Sequence, residues 1–241
     1  MRRIRLSTGP RALFLAMFVV AMIAFLPLRL ALGWVGLGDQ GMTARSVGGS
    51  VWAGSLTEAR FGALALGDLE AGVSPLNLLI GRARVDFDGR DDPPAPGLTG
   101  AITLTRHSVG MDDVTASLPV GNAFAPVPVT ILDLDQVSVR FDGDSCERAE
   151  GRVRATLGGD LGGTAIPVSM SGSVRCDGGA LLIPLASASG GEGAAIRVWP
   201  DSRYRAELTL AASDPLAVQR LQLAGFVQTP AGMQLSIEGR F

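Results

Sequence analysis

The stretch GGSVWAGSLTEARFGALAL, residues 48–66, decides how the rest of the chain is read. Val51 is β-branched and Trp52 is broad and flat, and both favour a pleated, half-buried strand. Gly49 and Gly54 flank them and permit backbone shapes or close approaches that a Cβ would block. The pattern predicts a strand with a bulge or tight turn at each end. Two roles are open to Trp52: a plug in the core of the sheet, or an exposed contact for a partner. Beyond it, apolar residues alternate around Leu56, Ala59, Phe61 and Leu64, the period of a sheet with one covered face.

The same period recurs to the end of the chain. ARVDFDG (83–89) sets Val85 and Phe87 on one face and Asp86 and Asp88 on the other. LTGAITLTRH (98–107), QVSVRFDG (136–143), GRVRATLGG (151–159), VSMSGSVRCDGG (168–179), GAAIRVWPD (193–201), YRAELTLAA (204–212) and MQLSIEGRF (233–241) behave alike. This predicts about ten to thirteen antiparallel strands. Two segments break the pattern. SPLNLLIG (74–81) offers Ser74 as N-cap, Pro75 at the first helical position and Gly81 as terminator. SDPLAVQRLQLAG (213–225) repeats the design, with Ser213 or Asp214 as cap, Pro215 inside and Gly225 closing. The proline-rich stretches 91–97 and 121–129 read as loops within one sheet. The expected fold is mainly β: a curved antiparallel sheet, an open groove or half-barrel, with two short helices, after one N-terminal transmembrane helix.

That helix is read from the first 32 residues. Arg2, Arg3, Arg5 and Arg11 precede an uncharged run from Ala12 to Leu28. As a helix the run spans about 25 Å, near the short limit for a bilayer. Arg29 can snorkel to the interface, and Trp34 falls where an interfacial aromatic is expected. The arginine excess puts the N-terminus in the cytoplasm. The expected organisation is a cytoplasmic start (1–11), a transmembrane anchor (12–32), a juxtamembrane linker (33–45) and a periplasmic β-rich domain (46–241). A cleaved signal peptide, with small residues at Ala31 and Gly33, is the rival. Both export the remainder.

Of the 241 residues, 32 are glycine, and all 21 basic residues are arginine. The formal net charge of −2 gives no nucleic-acid footprint. The two cysteines, Cys146 and Cys176, lie at strand edges without C-x-x-C spacing. In an exported chain that predicts a structural disulfide, contributing roughly 3 kcal/mol by loop closure. His107 is the only histidine, so neither a triad nor a multi-imidazole zinc site can be assembled. The aspartates at 86, 88, 91, 92, 142 and 144 follow turn chemistry rather than an EF-hand loop. No nucleophile elbow, P-loop or dinucleotide fingerprint occurs. The chain reads as a non-enzyme with no cofactor and no metal.

In their order, these features resemble the type II secretion system protein N family. An arginine-bearing start and one anchor come first, and GSVWAGSL follows, as in that family's Gly-x-Val/Leu-Trp-x-Gly signature, here Gly49, Val51, Trp52 and Gly54. SPLNLLIG, GDSCERAEGRV, SGSVRCDGG and the terminal strands complete the set. The family often carries a tryptophan just before its Ser-Pro helix, where this chain has DLEAGVSPL, so no role is carried over to that strand. The resemblance implies a single-pass accessory subunit of the inner membrane, with other inner-membrane and periplasmic subunits of the secretion machine as partners. Two other readings stand beside it. One is an anchored lipid-handling protein with an apolar β-groove and a lipid ligand, similar to AsmA-like or lipopolysaccharide-transport proteins. The other is a signal-cleaved structural domain.

Overall fold

The computed structural model describes residues 10–35, 42–62, 64–89, 97–120, 129–158, 160–161, 164–165, 169–212 and 214–240. Arg2, Arg3, Arg5, Asp91, Asp92, Ser213 and the greater part of both proline-rich loops lie outside the described residues, as do the side chains of Arg11 and Trp34. Two helices come first, α1 (Pro10–Ala24) and α2 (Leu28–Val35). Strands β1 (Met42–Thr43), β2 (Ser46–Ser50), β3 (Ala53–Phe61) and β4 (Leu64–Val73) lead to α3 (Pro75–Leu79). A meander follows: β5 (Ala83–Gly89), β6 (Thr99–Leu104), β7 (Ser108–Pro119), β8 (Val129–Asp142) and β9 (Ser145–Leu157). β10 (Asp160–Leu161) and β11 (Thr164–Ala165) form a separate ribbon. Then come β12 (Ser169–Ser173), β13 (Arg175–Asp177), β14 (Ala180–Ser187), β15 (Gly193–Val198) and β16 (Arg203–Leu210). The chain closes with α4 (Pro215–Leu223), β17 (Val227–Thr229) and β18 (Gly232–Arg240).

Among the described residues sixteen strands join one open sheet, in the order β1-β3-β4-β5-β6-β7-β8-β9-β12-β14-β15-β16-β18-β17, with β2 on β3 and β13 on β14. Neighbours run antiparallel, as the alternating pattern requires. The count exceeds the expected ten to thirteen because β1, β13 and β17 are two or three residues long. Such pieces are too short to show a period of two.

A crease crosses four adjacent strands. Gly100, Asp113, Gln136 and Gly151 all have positive φ, one each in β6, β7, β8 and β9. The ladder slips beside them, between Thr99 and Ala101, Met111 and Val114, and Asp135 and Ser138. These are bulges, which bend a strand and increase its twist. The displaced N–H groups are caught sideways. Asp113 N–H donates to Ser138 Oγ at 2.9 Å, and Gln136 N–H to Thr115 Oγ1 at 3.2 Å. A Cβ at Gly151 would stand 2.5 Å from the Gln136 carbonyl oxygen, so that strand must carry glycine. Two cores lie in the folded sheet. The smaller gathers Leu28, Leu56, Ala59, Leu69, Leu98, Val114 and Ala116. The larger, on the C-terminal side, surrounds Met170, Leu221 and Met233.

The single helix expected within 12–32 is broken in two. α1 ends at Ala24 and α2 begins at Leu28. Pro27 between them has no N–H and cannot continue a helix; it forms an antiparallel bridge with Ser50 instead. No helix among the described residues is long and apolar enough to cross a membrane. The side chains of α1 from Leu13 to Ile23 are nonetheless exposed along most of its length.

The two later helices use different caps. Ser74 holds the N-cap position of α3 and makes no side-chain hydrogen bond there. Asp214 caps α4, accepting from the N–H groups of Leu216 and Ala217 at 3.3 Å each. Pro75 and Pro215 sit in the first turns, and Gly81 and Gly225 follow the ends with φ of +75° and +93°.

Candidate functional site: the helix–sheet junction

Hairpin β2–β3 closes on the pair Ser50–Ala53, so Val51 and Trp52 are its two loop residues. The sequence predicts a strand here, and the structure corrects that. β-favouring side chains occupy a turn because the turn is held from outside. Val51 N–H donates to the Leu26 carbonyl at 2.9 Å, and the Val51 carbonyl accepts from Val73 N–H at 2.9 Å. Gly49 has φ +79°, which brings the strand round at its pair with Gly54.

Trp52 is half-buried and stands outside both cores, so it is not a core plug. Its indole N–H donates to the carbonyl of Ile23 at 3.0 Å. Ile23 lies in the last turn of α1, and its carbonyl also accepts from Leu26 N–H at 3.3 Å just past the helix end. The indole thus caps the C-terminal end of the apolar helix. Gly72 of β4 runs under the Trp52 backbone, where a Cβ would meet the Trp52 carbonyl oxygen at 2.5 Å.

Gly54 serves a different need. A side chain there would collide with Leu28 of α2, whose Cβ stands 3.2 Å from the ideal Cβ position. Leu28 is buried and belongs to the smaller core. The four signature residues therefore act together: Gly49 turns the strand, Val51 and Trp52 hold the α1–α2 connection, and Gly54 admits Leu28. These four stand out in the sequence, but their partners Ile23, Leu26, Pro27, Leu28 and Gly72 do not. Pro27 inside an apolar run was the one local signal.

The remaining residues fall elsewhere. Cys146 and Cys176 are bonded, with Cα atoms 5.5 Å apart, tying β9 to the β13–β14 hairpin. His107 lies in the exposed β6–β7 turn, where its carbonyl accepts from Gly143 N–H at 2.8 Å. Asp86 pairs with Arg84 at 2.8 Å, and that hydrogen bond raises the pKa of the guanidinium further. Among the described residues no group of three or more His, Cys, Asp or Glu could hold a metal ion. An apolar cavity of about 360 Å³ opens among β8, β9, β12, β14, β15, β16 and β18, lined by residues such as Leu132, Met170, Ile183, Ile196, Leu235 and Ile237. Strands six places apart in the sheet share its wall, so the C-terminal part of the sheet is curled.

The profile of a protein family described as Type II secretion system (T2SS), protein N matches residues 40–236. The Type II secretion system protein N of Vibrio cholerae serotype O1 (strain ATCC 39315 / El Tor Inaba N16961) is 26% identical over 153 residues. That match covers 60% of this chain and 60% of the relative, so the chain spans about three fifths of the curated relative's length. No solved structure matches.

Proposed function

The chain belongs to the type II secretion system protein N family, and on that premise we propose that it is an accessory subunit of the machine that exports folded proteins from the periplasm across the outer membrane. It acts by protein–protein contact with other inner-membrane and periplasmic subunits. Residues 1–11 lie in the cytoplasm, the apolar run within 12–32 enters the inner membrane, 33–45 form the connection, and 46–241 face the periplasm.

The observation that carries this reading is the junction. Beyond Arg11, α1 carries only apolar residues, and its end is bonded to the first hairpin through Trp52, with Leu28 seated on Gly54. A freely swinging tether would need none of these contacts. A platform that presents its sheet to neighbouring subunits in one orientation needs them. The resemblance to the family and the arginine bias of residues 2, 3 and 5 support the membrane side of the proposal.

The test is a chromosomal deletion complemented in two ways. Full-length protein is expected to restore release of the machine's substrates to the medium. A version with residues 1–28 replaced by a cleaved signal peptide is expected to reach the periplasm, keep its disulfide and fail to restore release. Normal release in the deletion strain would sink the accessory role; full rescue by the cleaved version would sink the anchored platform.

A further inference from the structure

Helix α3 ends the β4–β5 hairpin with four large apolar side chains in the open. Leu76 is 74% exposed, Leu79 84% and Ile80 67%, and Leu78 is exposed as well. None of the α3 residues is buried. Burial elsewhere in the chain does not explain them, and apolar clusters of this kind mark interaction sites. Their place in the fold identifies the occupant. Val73, two residues before α3, donates its N–H to Val51, and Val51 donates to Leu26, two residues past the end of α1. The tip of α3 therefore sits on the same rim of the sheet as the point where the apolar N-terminal helix departs. Its C-terminal flank is basic, while Asp112 and Asp113 line the cavity behind Asn77 and Arg82. No acidic residue occurs between Ser74 and Arg84, and Arg82 stands three residues past the end of the helix. The pair Ala83–Leu104 brings the β6–β7 turn, with exposed Arg106, beside the α3–β5 junction. Arg82 and Arg106 have no ion-pair partner among the described residues.

We propose that α3 is a second membrane contact: Leu76, Leu79 and Ile80 dip into the headgroup region of the same bilayer that α1 enters, with Arg82 and Arg106 on anionic headgroups. Apolar side chains backed by arginine are the chemistry of an interfacial element. Two contacts on one rim hold the sheet upright on the membrane, where one alone would leave it free to rotate about α1. This inference rests on the anchored reading above, and the experiment separates the two.

Full-length protein carrying Leu79→Cys, Phe18→Cys or Ala188→Cys is labelled with a fluorophore and placed in nanodiscs of phosphatidylethanolamine and phosphatidylglycerol. Phe18 reports on α1, and Ala188 lies in the β14–β15 turn on the opposite rim. Lipids spin-labelled shallow or deep in the acyl chain serve as quenchers. The expected result is quenching at Phe18 and Leu79 and none at Ala188. The Leu79 label should lie about 5–10 Å into the headgroup and acyl boundary and respond most to the shallow quencher. Quenching at Phe18 alone overturns the α3 proposal and leaves the anchor standing. Quenching at neither position overturns both. A Leu79 label shielded from lipid quencher and from aqueous iodide alike is covered by protein, which also overturns it.

Discussion

Helices α3 and α4 both take proline in the first turn and end at a glycine of positive φ, yet α4 drives Leu221 to 0% exposure while α3 leaves Leu79 at 84%. The cap and stop residues specify where a helix begins and ends; they do not specify what it covers. α3 has five residues, little more than one turn, and spans a hairpin whose two strands already pair directly. α4 has nine, and its Leu221, with Phe226 just beyond its end, is buried in the larger core. The contrast extends to the two cores. The C-terminal core is closed by its own helix, whereas the N-terminal core takes Leu28 from α2, the segment that leads out of the sheet. One half of the molecule is self-sufficient, and the other is completed by the N-terminal helices.

The largest effect should separate the two leucines. Leu221→Ala is expected to destabilise by about 2–5 kcal/mol, as for other fully buried leucines. Leu79→Ala should stay within about 0.5 kcal/mol in detergent solution, as for surface changes. Equal losses in denaturant titrations would erase the contrast. Next is Trp52→Phe, which keeps the ring and removes the N–H donated to Ile23. A loss of about 1 kcal/mol is expected, together with faster amide exchange at the end of α1 and unchanged exchange around Leu221. Slower or unchanged exchange at Phe25 and Leu26 would mean that the indole does not hold the helix.

The smallest effect lies in the self-sufficient half. Ser189 and Ser187 donate to Glu192 Oε2 at 2.5 and 2.7 Å, holding its pKa below the usual carboxylate range. A carboxylate depressed in the folded state adds stability above its unfolded pKa of about 4.3 and loses it as pH falls through the folded value. Glu192→Gln should therefore lower Tm slightly at neutral pH and flatten the acid limb of the Tm profile. Parallel profiles for the two proteins would remove this interaction from the account.

The antiparallel sheet was legible because alternation is a local signal, repeated strand after strand from Leu56 to Ile237. The α4 start was legible because Asp214 and Pro215 act on their own neighbours. The junction was not. Val51 and Trp52 have strand propensity and form a turn because Leu26 and Val73 hold their backbone, and no local pattern announces partners that lie twenty or more positions away. Gly54 showed that a Cβ was unwelcome, but only the fold shows that Leu28 is the reason, rather than a positive φ. The crease was half legible. Gly100 and Gly151 stand out as glycines within strands, while Asp113 and Gln136 adopt the same left-handed backbone with nothing in their side chains to mark it. An apolar run outweighs a single proline near its end, so the sequence pattern carries one helix through Pro27.

The seating of Leu28 against Gly54 is the contact that joins the N-terminal helices to the sheet. The ideal Cβ position at Gly54 lies 3.2 Å from Leu28 Cβ, close to the Cβ separation of a disulfide, about 3.5–4.5 Å. Full-length protein carrying Leu28→Cys and Gly54→Cys together is exposed to mild oxidant, digested and mapped by mass spectrometry, with the Cys146–Cys176 bridge checked in the same digest. The expected result is a near-quantitative cross-link between the two introduced thiols beside an intact native bridge. Two free introduced thiols beside that intact bridge would contradict the docking of the N-terminal helices on the sheet.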